Sequence, residues 1–117
     1  MNAEGEIREW NERRRHPRLK VHVPVEIRIR DEAAPLRLST DDISLCGCYV
    51  ETMFTLELGT KVEMTLWVND EPILTKAEVA TKYPQLGNGF NFLGMSHDDL
   101  LKLGAFITTH ASEPHMH

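Results

Sequence analysis

The sequence predicts a mainly β protein, a six-stranded antiparallel β-barrel with a C-terminal α-helix. Three observations lead to this prediction. Short segments of alternating apolar and polar residues recur at a spacing of roughly ten residues. Turn-forming residues separate these segments, and the apolar period changes to that of a helix only near the C-terminus. A closed barrel would also leave few strand edges exposed.

The clearest predicted strand covers residues 20–30, where valine or isoleucine occupies every odd position from 21 to 29. Such alternation places the β-branched side chains on one buried face. Pro24 has no N–H to donate to a ladder, so it predicts a strand edge or a bulge at that point. Five further strands are predicted from Leu36 to about Asp42 and over residues 48–51, 61–69, 73–81 and 90–92.

The C-terminal helix is predicted to begin at Ser96, whose hydroxyl can cap the first turn. Asp98 and Asp99 follow in that turn, where the helix dipole favours negative charge. The apolar stripe of the helix consists of Leu100, Leu103, Phe106 and Ile107.

The chain has 117 residues, of which 41% are hydrophobic, and this favours one folded domain. Its net charge is −5. We expect a flexible N-terminal segment over residues 1–12, the barrel domain with its helix over 13–110 and a polar tail over 111–117. No apolar run approaches the length of a membrane span, and no signal sequence is evident, so a cytoplasmic location is expected. The negative charge argues against binding of DNA.

A cluster of arginines precedes the first predicted strand, in the run RRRHPR at residues 13–18. The planar guanidinium group binds phosphate through two parallel hydrogen bonds, and it also pairs with the O6/N7 edge of guanine. Arg14 and Arg18 are spaced so that both can reach one compact ligand. By itself the cluster favours a solvated basic patch, or a charge balance for the acidic N-terminus, over a specific ligand site.

A second motif, DISLCG at residues 42–47, lies between the second and third predicted strands. Asp42 can accept the N–H groups of a guanine edge, and the hydroxyl of Ser44 can reach a base or a ribose. Gly47 permits a positive φ or a close approach of the ligand. Taken alone, the motif favours an ordinary turn held by aspartate and serine side chains.

The remaining reactive side chains do not form a recognisable catalytic or metal site. Cys46 and Cys48 are too few for structural zinc, which needs four ligands. As residues two apart on a strand, they are expected to share one face. No nucleophile and base occur in a catalytic pattern, so an enzyme is not expected.

Taken together, the two motifs resemble the PilZ family, which has an R-x-x-x-R motif before the first strand and a [D/N]-x-S-x-x-G motif after the second. The resemblance covers roughly residues 12–108. It implies binding of the bacterial second messenger cyclic di-GMP, without any other cofactor. Arg13, next to the first motif arginine, makes either one or two ligand molecules per site plausible. The predicted ligand-binding residues are Arg13, Arg14, Arg18, Asp42, Ser44 and Gly47.

The resemblance implies a receptor that changes the conformation of its N-terminal arginine segment on ligand binding and then signals to a partner protein. One alternative is a PilZ-like adaptor that binds another protein and no ligand. Another is a barrel that binds single-stranded nucleic acid, but the negative charge and the few aromatic residues make this the weakest choice.

Overall fold

A computed structural model describes residues 18–29, 34–53 and 55–111 of the chain. The predicted N-terminal segment, together with Arg13 and Arg14, lies outside the described residues, as do residues 112–117. The described part contains six strands and one helix, α1. They are β1 (Pro24–Ile29), β2 (Leu36–Ile43), β3 (Gly47–Glu51), β4 (Lys61–Val68), β5 (Glu71–Tyr83), β6 (Gly87–Leu93) and α1 (His97–Ala111).

The six strands form a closed antiparallel barrel in the order β1-β2-β3-β6-β5-β4. The predicted fold class is therefore confirmed. β1 pairs with both β2 and β4, so it is not an edge strand as Pro24 suggested. Pro24 is tolerated because it is the first residue of β1 and precedes the first β1–β4 pair, Val25 with Leu66.

The barrel interior is filled by the side chains that alternate inward along each strand. Ile27, Ile43, Leu66 and Ile73 are at most 2% exposed. Burial of one such side chain contributes about 1.5–3 kcal/mol to folding. A one-residue shift in any strand would turn its apolar set toward solvent, so the alternation also fixes the register.

Helix α1 packs against β4 and β5 and joins the same hydrophobic core through Leu103, Phe106 and Ile107. The Ser96 hydroxyl accepts a hydrogen bond from the Asp99 backbone N–H at 3.1 Å, as expected for the predicted cap. The prediction for Leu100 was wrong, since this side chain is 37% exposed. Leu100 lies in the first turn of α1 and lines a surface groove with Leu45, whereas the buried stripe begins at Leu103.

The turns follow from residues that accept a left-handed backbone. Asn69 and Asp70, with φ values of 53° and 65°, form the two-residue connection between β4 and β5. Positive φ at both positions is the requirement of a type I′ hairpin. The turn is shorter than the predicted 69–72 segment because Glu71 and Pro72 already pair with Val68 and Trp67.

Candidate ligand-binding site

The chain just before β1 is attached to β2, and we call residues 18–23 the N-terminal strap. Leu19 N donates to Ile43 O at 2.8 Å, and Ile43 N donates to Leu19 O at 3.0 Å. The buried hydroxyl of Thr40 accepts from Val23 N at 2.9 Å and donates to Val21 O at 2.8 Å. These bonds hold the strap along β2 at both of its ends.

The strap brings Arg18, the last arginine of the first motif, to Asp42 of the second motif. Arg18 Nη1 donates a charge-assisted hydrogen bond to Asp42 Oδ1 at 2.5 Å, across 24 residues of sequence. The Arg18 side chain is 52% exposed and that of Asp42 is 20% exposed. Both groups are therefore accessible from outside the barrel, and the guanidinium keeps further N–H donors for a ligand.

Ser44 organises the turn that follows Asp42. Its hydroxyl accepts hydrogen bonds from Cys46 N at 3.1 Å and Gly47 N at 3.3 Å. The Ser44 backbone N–H also donates to Gly47 O at 2.8 Å, and the side chain is buried. In the structure the hydroxyl thus binds the turn itself, while contact with a base or a ribose stays a prediction.

Gly47 is required by a neighbouring strand. A Cβ at this position would lie 1.9 Å from the carbonyl oxygen of Phe90 in β6. Phe92 N also donates to Cys46 O at 2.8 Å, which ties the turn to β6. The φ of Gly47 is not among the positive values in the described chain. The close approach at Gly47 is therefore that of β6, and an approach of ligand there stays a prediction.

The two cysteines do not share a face, so that prediction was wrong. Cys46 lies in the turn and is exposed, whereas Cys48 in β3 is buried in the barrel. Strand β3 begins only at Gly47, so Cys46 is not part of the inward and outward alternation of its side chains. Burial raises the pKa of the Cys48 thiol to about 12, with a further contribution from the Asp42 charge.

Tyr49 was not identified from the sequence, although it lies directly opposite Asp42 in the β2–β3 ladder. Its ring packs against Tyr83, with centroids 6.0 Å apart and planes at 64°. Burial, and then the charges of Glu51, Asp41 and Asp42, raise the pKa of the Tyr49 hydroxyl. The signal in the sequence was an outward-facing aromatic residue two positions after the motif glycine.

Within the described ranges, no group of histidine, cysteine and acidic side chains could hold a metal ion. Among the helices of the same ranges, none is long and apolar enough to cross a membrane.

A cavity of about 640 Å³ lies on another wall of the barrel, between Glu26, Thr65, Leu74 and Lys76. Arg18, Asp42, Ser44 and Gly47, the predicted ligand-binding residues within the described ranges, do not line it.

The fold and the site define a small β-barrel module whose N-terminal arginine meets an Asp-x-Ser-x-x-Gly turn. The family model described as "PilZ domain" matches residues 12–109, and the chain therefore belongs to the PilZ domain family. This match confirms the resemblance inferred from the two motifs. PilZ domains are ligand-binding and adaptor modules. No curated protein matches the chain significantly.

Three solved structures share the fold at low sequence identity. The inhibitor of motility MotI/DgrA of Bacillus subtilis is 18% identical with a TM-score of 0.71, over 87% of this chain but only 53% of that one. The chain thus spans about half of that protein. The PilZ domain of CeSA from a cellulose-synthesizing bacterium is 18% identical with a TM-score of 0.64, over 81% of this chain and 98% of that one.

The third structure is the PilZ domain of Escherichia coli YcgR, solved with c-di-GMP. It is 17% identical to this chain, with a TM-score of 0.67, and the match covers 83% of this chain and 90% of that one. At these identities the likeness establishes a common fold.

Proposed function

We propose that the protein is a non-enzymatic receptor for cyclic di-GMP that signals to a partner protein. The observation that carries the proposal is the contact between Arg18 and Asp42, which joins the two motifs at one accessible place. Membership of the PilZ family and the c-di-GMP complex of the YcgR domain give further support. We also propose a cytoplasmic location, which rests on the sequence expectation.

The chemistry of the pair suits this ligand. Cyclic di-GMP offers two phosphates and two guanines, and Arg18 can donate to either kind of group. A carboxylate has about four acceptor positions, so Asp42 can keep Arg18 and still accept N–H donors from a guanine. Arg14, four residues before Arg18, would supply a second guanidinium to the same ligand.

The test is a calorimetric titration of cyclic di-GMP into the wild-type chain and into Arg14→Ala. Saturable binding at micromolar or lower ligand concentration is expected for the wild type, with loss in the variant. Lys61→Ala is a matched control, because Lys61 is an exposed cation that pairs with Glu78 at 3.3 Å on the opposite side of the barrel. Cyclic di-AMP, which lacks the guanine edge, is the control ligand. A folded wild type that gives no heat would refute the receptor.

The stoichiometry tests the role proposed for Arg13. If Arg13 contacts a second ligand molecule, the wild type takes up two molecules per chain and Arg13→Ala takes up one. A wild-type titration that ends at one ligand per chain would rule out this part of the proposal, while leaving the receptor itself intact.

Ligand binding is proposed to change the conformation of the N-terminal arginine segment, and Trp10 can report this change by fluorescence. The second tryptophan, Trp67, is 38% exposed and would add its own signal. The experiment therefore uses a Trp67→Phe background. A fluorescence spectrum that does not respond to saturating cyclic di-GMP would argue against this change.

The second candidate is a PilZ-like adaptor that binds a protein and no nucleotide. The observation that favours it is the exposure of Arg18, whose side chain is 52% accessible and keeps N–H donors that an acidic side chain of a partner protein could accept. In that case Arg18→Ala would weaken binding of the partner protein, and cyclic di-GMP would have no effect on that binding.

A further inference from the structure

We infer that Tyr49 is a further ligand-binding residue, whose ring stacks on a guanine base held at Asp42. This inference rests on the proposed function and extends it from the two motifs to the barrel wall. It is carried by the register of the strands, by the packing of the ring and by the space around it.

The register places Tyr49 beside the predicted guanine acceptor. Asp42 in β2 and Tyr49 in β3 are direct partners in an antiparallel ladder. Direct partners project from the same face of the sheet, with Cβ atoms about 4.5–5.5 Å apart. The flanking residues Ile43 and Cys48 are buried, so the Asp42–Tyr49 pair faces outward. A base bound at the Asp42 carboxylate therefore lies within reach of the Tyr49 ring.

Residues of the neighbouring strands hold the ring in place. It makes an edge contact with Tyr83 of β5, at a centroid distance of 6.0 Å. Gly87 of β6 provides the room for it, because a Cβ there would lie 2.6 Å from the Tyr49 hydroxyl. A preorganised aromatic ring loses little conformational freedom when a base stacks on it.

The residues beyond Tyr49 in the same row of the sheet have small side chains or none. The partner of Tyr49 on its other side is Gly89 in β6, which has no side chain. Gly89 in turn is opposite Thr81, whose small hydroxyl receives the Gly89 backbone N–H at 3.1 Å. Beyond Tyr49, this row of the sheet therefore carries no side chain at Gly89 and only a small one at Thr81, which leaves room for a flat base.

The charges of the site suggest that the phosphates and the bases of the ligand bind to different sets of residues. Asp41, Asp42 and Glu51 are close enough to Tyr49 to act on its hydroxyl, so the wall around the ring is acidic. An acidic wall repels phosphate and attracts the N–H edge of guanine. The phosphates would then belong to the arginines, and the base to the wall with Tyr49.

The test compares Tyr49→Ala, Tyr49→Leu and Tyr49→Phe in titrations with cyclic di-GMP. Stacking on an aromatic side chain is worth enough that its loss weakens binding about tenfold or more. We expect that loss for Tyr49→Ala and for Tyr49→Leu, which keeps an apolar volume and so guards against a folding defect. Tyr49→Phe keeps the ring and should bind like the wild type.

A spectroscopic readout separates stacking from a structural role. The guanine H8 proton of the bound ligand should show a ring-current shift in the wild type and in Tyr49→Phe, and a smaller one in Tyr49→Leu. Trp67→Ala is the matched control, since Trp67 is an exposed aromatic residue on β4, the strand opposite β3 in the barrel. Wild-type affinity in both Tyr49→Ala and Tyr49→Leu would overturn the inference. A wild type that binds no cyclic di-GMP would instead refute the proposed function.

Discussion

The backbone of Gly47 lies so close to Phe90 that a methyl group on Gly47 would reach within 1.9 Å of the Phe90 carbonyl oxygen. The contact is between backbone atoms of two paired strands, β3 and β6, so no side chain can move aside to relieve it. The glycine of the Asp-x-Ser-x-x-Gly motif is thus first a requirement of the barrel.

Gly47→Ala should destabilise the fold by about 1–3 kcal/mol or more, because the overlap can be relieved only by moving a strand. The measurement is chemical denaturation followed by circular dichroism. Gly104→Ala is the matched control, since a Cβ there would lie 3.8 Å from Leu45 Cδ2, an ordinary contact. Within α1 this control should gain about 0.5–1 kcal/mol. Equal stability of the two variants would contradict the explanation.

Arg18→Ala should weaken binding of cyclic di-GMP about tenfold or more, since each bidentate contact with a base is worth about 1–3 kcal/mol. The same change should reduce the unfolding free energy by only about 1 kcal/mol or less, because an exposed ion pair contributes little to stability. Titration calorimetry and urea denaturation measure the two effects separately. A large loss of stability with unchanged affinity would show that Arg18 serves the fold and not the ligand.

Ser44→Ala should destabilise the protein by about 1–3 kcal/mol, because the N–H groups of Cys46 and Gly47 lose a buried acceptor. Thr60→Ala removes a comparable hydroxyl, which donates to Glu57 O at 2.7 Å on an exposed turn, and should cost less. Denaturation curves of both variants make the comparison. Unchanged stability in Ser44→Ala, together with lost affinity, would mean that the hydroxyl serves the ligand instead.

Cys48 should make the stability of the protein fall at alkaline pH. Burial raises the pKa of its thiol from 9.0 to about 12, so the folded state holds the proton more tightly than the unfolded state does. A pKa that is higher in the folded state contributes stability at every pH below the pKa of the unfolded chain. This contribution is lost as the pH rises from about 9 toward 12. The slope reaches about 1.4 kcal/mol per pH unit.

The measurement for Cys48 is the unfolding free energy between pH 8 and pH 11, compared with that of Cys48→Ala. The variant should show a shallower decline over this range. Cys46→Ala is the control at an exposed thiol. Parallel curves for the wild type and Cys48→Ala would contradict the assignment of the slope to Cys48.

The alternation of apolar and polar residues was enough to locate the six strands approximately. Successive side chains of a strand point to opposite faces, so this pattern can be recognised locally. The ends of the strands were less accurate, as β5 runs over Glu71–Tyr83 where residues 73–81 were predicted. Strand ends depend on the partner strand, which local patterns do not specify. The pairing of β3 with β6 is likewise a non-local property of the closed barrel.

Arg18 and Asp42 could both be selected from the sequence, because each belongs to a recognisable motif. Tyr49 could not be chosen in the same way, since its neighbour depends on the register of β2 and β3. That register shifts between Thr40 and Asp42, where Asp41 is accommodated as an irregularity. A count from the motif alone does not reveal such a shift, so only the structure shows that Tyr49 lies beside Asp42.

The attachment of Leu19 to Ile43 sets the length of a tether. Arg14 is four residues before Arg18, so its Cα can lie at most about 14 Å from that of Arg18. A group on so short a tether has an effective concentration on the order of millimolar at its own site. For the ligand contact proposed for Arg14, such a tether favours the turn of its own chain over that of another chain at protein concentrations below about millimolar.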